Sequence, residues 1–297
     1  MLRRRREAVS GARRLAPAVE ALRPKQYTKN LLLFAALLFA DRASSLDAWV
    51  AAGAAFVAYC LASSAAYLVN DVRDADEDRR HPIKRLRPVA SGELAARDAL
   101  VLAGALVAVA VALVAPLGLT ALAFLAGFVA LQLAYSLGVK HVVLVDVMAI
   151  GALFVIRAAA GADAVEVRIS PWLLLCTALL ALFLGLAKRR GELVLVGADE
   201  APGRPVLDSY SLALVDQLVA VVAASAIIAY SLYTFTAHSQ AMMITIPFVV
   251  FGVFRYLLLV HRQGAGEEPD AVLVTDVPIL VTVALWAATC AAILALS

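Results

Sequence analysis

The sequence predicts an all-α, polytopic membrane protein of about nine transmembrane helices under a cytoplasmic polar cap, and three observations lead there. Hydrophobic residues make up 63% of the 297 and the mean hydropathy is +0.87, well above a soluble domain. Apolar runs recur along the chain at or near the roughly 17–25 residues that span a bilayer as a helix. Charged residues are only 16% of the chain and gather between those runs.

Taken in order, residues 1–21 form a basic cytoplasmic segment and residues 22–297 the transmembrane domain. Arg3, Arg4, Arg5 and Arg6 open the basic segment, but no apolar core of a cleaved signal peptide follows before Asn30. Attraction to anionic lipid accounts for Arg3 to Arg14. The nine expected spans centre near Phe34, Val57, Leu106, Ala123, Ile150, Leu179, Val222, Val250 and Leu285; the first is short. Cys60, Cys176 and Cys290 lie inside apolar runs without metal-type spacing and read as small core residues.

Orientation follows from the bases. With nine spans, 22 of the 26 Lys and Arg fall on one side, Arg42 and Arg168 on the other, and Arg157 and Arg255 within spans. Basic loops stay in the cytoplasm, so the protein is expected in the inner membrane with its N-terminus and acidic loop facing the cytoplasm and its C-terminus outside. The long polar loops follow the second and sixth spans, which suggests two four-helix halves with a ninth helix appended. Gly104, Gly127 and Gly151 permit close packing within or between subunits, so a homo-oligomer is compatible with the sequence.

The densest chemistry is Asn70-Asp71-Val72-Arg73-Asp74-Ala75-Asp76-Glu77-Asp78. On a helix Asp71, Asp74 and Asp78 fall within about 60° of one another, whereas Asp76 points away and Glu77 flanks the stripe. Carboxylates that close repel unless a cation sits between them, and hard oxygen donors beside a phosphate suit Mg²⁺. A metal-diphosphate site is the expectation; a solvated acidic loop is the bland alternative. Base follows at once in Arg79-Arg80-His81-Pro82-Ile83-Lys84-Arg85-Leu86-Arg87-Pro88, and then Ser91-Gly92-Glu93-Leu94, a helix start. Lys and Arg neutralise phosphate oxygens that the metal leaves uncovered. A purely topological loop explains the base but not the acidic stripe.

The other cytoplasmic segments offer anion-binding candidates. The second long loop has Lys188-Arg189-Arg190-Gly191-Glu192, then Asp199, Glu200 and Arg204. Tyr135 and Lys140 flank a tight turn, with Asp146 shortly into the fifth span and Lys140 its nearest partner in sequence. Lys25 and Lys29 stand four apart before the first span and face one anion on a helix, or snorkel as anchors.

The Asn-Asp-x-x-Asp-x-x-x-Asp pattern at Asn70, Asp71, Asp74 and Asp78, following an even-numbered span, resembles the UbiA superfamily of intramembrane prenyltransferases, from about residue 22 to 296. The resemblance implies nine helices around a central cavity open to the membrane, capped by two polar loops whose aspartates hold Mg²⁺ and a prenyl diphosphate. The second loop departs from that pattern, with Lys188-Arg189-Arg190 where acid is expected. That departure, with Arg-Pro-Lys-Gln-Tyr-Thr-Lys-Asn at residues 23–30 and His-Pro-Ile-Lys-Arg-Leu-Arg-Pro at 81–88, is similar to one branch, the decaprenyl-phosphate phosphoribosyltransferases.

That likeness implies 5-phosphoribosyl 1-diphosphate as donor, a polyprenyl phosphate as acceptor, and a lipid-linked phosphoribose for cell-wall arabinan synthesis as product. Asp71, Asp74 and Asp78, with the Asn70 carbonyl, would hold Mg²⁺ on the diphosphate, and Lys84, Arg85 and Arg87 would stabilise the leaving group. Lys188, Arg189 and Arg190, or Lys25 and Lys29, would take the 5-phosphate; Tyr135 and Lys140 would bind substrate, with Lys140 orienting the lipid phosphate. The acceptor is already an anion, so no general base is required. Two rivals stand beside this reading: a conventional prenyltransferase with an aromatic acceptor, which predicts a second acidic loop, and a transporter, which predicts charges along a transmembrane path. Nucleic acid is not among the expected partners.

Overall fold

The computed structural model describes residues 17–38, 45–81, 83–197, 205–236, 240–263 and 275–296. Arg3 to Arg14, Arg42, Pro82, Asp199, Glu200 and Arg204 lie outside the described residues. Every regular element among those described is helical.

Seven helices are long and apolar enough to cross a membrane. They are α1 (Leu46–Arg73), α2 (Ala96–Val114), α3 (Leu119–Leu137), α4 (Val145–Ala164), α5 (Pro171–Gly197), α6 (Leu212–Thr236) and α7 (Ile246–Gln263). The last helix, α8 (Val277–Leu296), contributes a shorter apolar stretch. The first expected span is not one α-helix. Pro24–Phe34 winds as a 3₁₀ helix and continues as the α-helical turn Ala35–Leu38, so nine spanning helices is not the count observed among the described residues. Pro24 sits at the entry, where its missing N–H costs nothing.

Local chemistry sets several boundaries. Ser45 caps α1, its hydroxyl accepting from the Ala48 amide at 3.3 Å. Ser91-Gly92 ends an element instead of starting one: the short helix Pro88–Ser91 closes on Gly92 at φ 83°, and α2 begins at Ala96. The left-handed position after a helix suits glycine, which explains the difference from the expected start.

Two helices form the centre. In α1 and α4 61% of the apolar window is buried, against 17–33% in the other five. One apolar core joins Leu33, Tyr59 of α1, Val114 of α2, Phe128 of α3 and Leu153 of α4. A second joins Val147 of α4 to Phe183 of α5, Val215 of α6, Tyr256 of α7 and Ile279 of α8. The two halves therefore share α4. Among the three glycines expected at close contacts, only Gly151 meets a neighbour, Leu182 of α5; a Cβ at Gly104 or Gly127 would meet open space. The tightest approach is Gly161, where an added Cβ would lie 2.2 Å from the Leu33 carbonyl oxygen.

Midway along α7, Arg255 grips Asp276 just before α8, with Nη2–Oδ2 at 2.9 Å and Nε–Oδ1 at 3.3 Å. Asp276 also accepts from the Ile279 amide at 3.0 Å and so starts α8. The Arg255 hydrogen bonds hold the Asp276 carboxyl below its ordinary range.

Candidate active site

The site forms where α1 runs out of its apolar sequence. α1 stops at Arg73; Asp74, at φ −88° and ψ 6°, is a hinge, and Ala75–Arg80 resumes as a short helix. The acidic stripe is divided by this hinge. Asp71 and Asp78, both buried, converge on one cation: Arg87 Nη1 donates to Asp78 Oδ2 at 2.7 Å and to Asp71 Oδ1 at 3.3 Å. Asp74 turns instead to Lys140, whose Nζ lies 2.7 Å from both its oxygens. Asn70 Nδ2 donates to Asp74 Oδ2 at 3.0 Å, leaving the amide carbonyl uncommitted by that bond. Asp76 and Glu77 are exposed, as their angular positions require, and Asp76 pairs with Arg79.

Arg23 completes this cluster, and the sequence reading passed over it. Its Nη2 sits 2.5 Å from Asp71 Oδ1, its guanidinium lies 4.7 Å from the Tyr67 ring centroid, and its backbone is left-handed at φ 54°. A non-glycine residue in that region is costly and persists where surrounding bonds hold it. The signal was a lone base directly before Pro24, beside the more obvious Lys25 and Lys29 pair. The adjoining segment is pinned to α1 as well, by Tyr27 and Ser64 hydroxyls 3.0 Å apart and by Ser64 donating to Leu22 O at 2.9 Å.

The remaining predicted bases divide by exposure. Lys25 and Arg85 are exposed, while Lys29 and Lys84 are half-buried. His81 organises the turn that carries Lys84: its Nδ1 accepts from the amides of Ile83 at 3.2 Å and Lys84 at 3.3 Å. Partial burial, reinforced by the Lys84 and Arg87 charges, pushes the imidazole below its ordinary pKa, in keeping with a ring nitrogen that must accept.

The second basic cluster lies inward. Arg189 is fully buried, donating from Nε to Asp146 Oδ2 at 2.7 Å and from Nη2 to Tyr135 Oη at 3.2 Å, and it also pairs with Glu192. Asp146 therefore partners Arg189, not Lys140. The reason is positional: Asp146 sits in the first turn of α4 against α5, whereas Lys140 precedes that helix and reaches across to the acidic loop. Tyr210 closes the knot, donating to Asp146 Oδ1 at 2.9 Å and accepting from the Leu144 amide at 2.7 Å. Its phenol is pushed up to about 12 by burial, with the Asp146 carboxylate adding to the rise against the Leu144 amide. Arg190 donates to Asp216 Oδ1 at 2.7 Å and Val260 O at 3.2 Å. Lys188, half-buried, precedes these two on α5.

Carboxylates, an amide and three cations thus meet where α1 ends. Among the described residues no three acidic, histidine or cysteine side chains stand close enough to share an ion. Mg²⁺ does not need three, since it keeps waters and takes one or two carboxylates together with substrate phosphates. Asp71 and Asp78, on either side of one Arg87 nitrogen, fit that requirement.

The chain belongs to the UbiA prenyltransferase family, whose model matches residues 31–269. Its relatives include decaprenyl-phosphate phosphoribosyltransferases. That of Mycobacterium tuberculosis (strain ATCC 25618 / H37Rv) is 36% identical over 293 residues, covering 95% of each chain. The Corynebacterium glutamicum protein is 34% identical over 279 residues, covering 90% of this chain and 83% of its own. The fold matches a UbiA homologue from Archaeoglobus fulgidus bound to GPP and Mg²⁺, with a TM-score of 0.73 at 17% identity, over 94% of this chain and 99% of that one. A UbiA homologue from Aeropyrum pernix K1 matches at 0.67 over 89% and 96%.

Proposed function

We propose that this protein transfers 5-phosphoribose from 5-phosphoribosyl 1-diphosphate to a polyprenyl phosphate, releasing diphosphate, for cell-wall arabinan precursor synthesis. The observation that carries this reading is the near-complete coverage, at 34–36% identity, by relatives named for that reaction. It agrees with a second polar segment that presents Lys188, Arg189 and Arg190 in place of acid.

Asp71 and Asp78, with Asp74 and the Asn70 carbonyl beside them, would hold Mg²⁺, which when bound withdraws charge from the leaving diphosphate. Arg23, Arg87 and Lys140 already stand on those carboxylates and present cations where negative charge develops on the leaving oxygen. Lys84 and Arg85, on the His81-ordered turn, extend that field outward. Arg189 holds Tyr135 and anchors α5 to α4, so it positions the rim. The acceptor phosphate is ionised and attacks the anomeric carbon from the face opposite the diphosphate, which inverts that centre without a general base. The distribution of basic residues supports a site at the cytoplasmic surface with the C-terminus outside.

The test supplies membranes containing the protein with radiolabelled 5-phosphoribosyl 1-diphosphate and a polyprenyl phosphate, then, separately, a polyprenyl diphosphate and an aromatic acceptor. A ribosylated lipid in the first reaction supports the reading. Prenylation of the aromatic in the second, with none in the first, refutes it.

A further inference from the structure

Arg157 lies in the middle of α4, is 4% exposed, and pairs with no carboxylate among the described residues. Its Nε donates to Asn30 Oδ1 at 2.7 Å and its Nη1 to the Leu153 carbonyl at 3.1 Å. Its guanidinium carbon lies 4.6 Å from the Phe128 ring centroid and 5.2 Å from that of Phe154. Ring faces and neutral oxygens soften a buried positive charge but do not cancel it. Nη2 has no acceptor among the described residues.

Two further polar groups stand on α1, the first of them beside Arg157. The hydroxyls of Tyr59 and Ser63, one turn apart on α1 and both buried, have no hydrogen-bond partner among the described residues. The Tyr59 ring packs 4.8 Å from the same Phe128 that carries Arg157, and the Arg157 charge acts on Tyr59, Cys60 and Tyr67. Buried donors left unmatched beside an uncompensated cation are expensive. An anion with several acceptor oxygens satisfies all of them together.

We infer that Arg157, with the Tyr59 and Ser63 hydroxyls, forms a second anion site within the membrane domain, separate from the Asp71 centre, that takes a phosphate monoester. The inference rests on the phosphoribosyl reading above, in which the donor's 5-phosphate and the acceptor's lipid phosphate are both monoesters. Depth supports it. Ser63 precedes Asp71 by eight residues on α1, about 12 Å of helix rise. The Arg157 side chain reaches back toward Leu153, on the Lys140 side of its own position. A ribose with phosphate groups at both ends bridges a gap of this order, with its diphosphate at Asp71. From Ser63 toward Asp71, α1 carries Ser64, bonded to Tyr27, and Tyr67, stacked under Arg23.

The experiment measures binding of ribose 5-phosphate, farnesyl phosphate and Mg²⁺ with inorganic diphosphate to the full chain in nanodiscs, by calorimetry, for wild type, Arg157→Gln and Arg157→Lys. If the site is real, Arg157→Gln weakens one monoester about 10- to 100-fold, Arg157→Lys recovers part of the loss, and Mg-diphosphate changes less than about twofold. Loss of ribose 5-phosphate assigns the site to the donor; loss of farnesyl phosphate assigns it to the acceptor. Monoester affinities unchanged in Arg157→Gln, or absent in wild type, overturn the inference even if thermal stability falls. Should Arg157→Gln fail to fold, the Tyr59→Phe/Ser63→Ala pair removes both hydroxyls without touching the charge: about 3- to 10-fold weaker monoester binding supports the site, and unchanged binding overturns it. These readings are independent of product formation, so the absence of a ribosylated lipid refutes the proposed function alone.

Discussion

Lys140 Nζ lies 2.7 Å from both carboxylate oxygens of Asp74, joining the turn after α3 to the acidic hinge at the end of α1. Lys140 is buried and Asp74 half-buried. Truncating the lysine to Met removes a cation from the edge of the proposed diphosphate site. Transfer is expected to drop about 100- to 1,000-fold, with Lys140→Arg retaining a larger share. Asp74→Ala is expected to abolish Mg-dependent transfer. Steady-state rates over a Mg²⁺ titration check both, and near-normal turnover in Asp74→Ala refutes the metal assignment.

Arg87 neutralises two buried carboxylates at once. Arg87→Ala leaves Asp78 without that cation and Asp71 with Arg23 alone. The loop is expected to lose about 2–4 kcal/mol of stability, visible as a lower unfolding temperature, and the donor KM to rise. Restoration of the midpoint by Asp78→Asn in the same chain, without recovery of activity, would separate the structural loss from the chemical one.

Asp146 and Arg189 are both sealed from solvent. Asp146→Asn leaves a buried arginine short of charge, and the expected cost is about 3–5 kcal/mol. The double variant Asp146→Asn/Arg189→Gln is expected to be less destabilised than Asp146→Asn alone. Thermal unfolding in detergent measures the difference; equal stabilities for the single and double variants would contradict the pairing.

Gly161 admits the Leu33 carbonyl where a Cβ would stand 2.2 Å from it. Gly161→Ala must push the 3₁₀ segment off α4, at a cost of about 1–3 kcal/mol. The displacement is expected to move Arg23 as well, so transfer falls although residue 161 is remote from Asp71. Gly104→Ala, which meets nothing, is the matched control and should be silent.

His81 sets a shallow pH dependence. Its pKa in the folded chain lies below the ordinary 6.5, so the unfolded chain binds a proton more readily. The stabilisation is complete above about pH 6.5, declines as pH falls toward the folded pKa, and levels off beneath it. Unfolding midpoints across that interval should slope in wild type and flatten in His81→Gln.

Much of this molecule was legible in its sequence because the bilayer imposes one rule, that long apolar runs become helices. The sites of charge followed, and so did the outward turn of Asp76. What escaped were contacts that spacing cannot encode. Arg23 reaches Asp71 across 48 residues, and Asp146 chooses Arg189 over the nearer Lys140 because the start of α4 faces α5. The 3₁₀ winding of the first segment, which packs against both α1 and α4, has no counterpart in its residue spacing. The hinge at Asp74 is likewise invisible to a 100° count, which assumes that the helix continues.

The seat of that first segment bears on how the protein is made. Asn30 rests on Arg157 and Leu33 on Gly161, so this segment docks on a helix synthesised more than a hundred residues later. A nascent chain halted before α4 already contains every aspartate of the acidic loop and the α1 partners of Arg23, but lacks the residues that seat Asn30 and Leu33. Final seating of the first segment is therefore a late event of membrane insertion, and chains truncated before α4 should be inert for want of it.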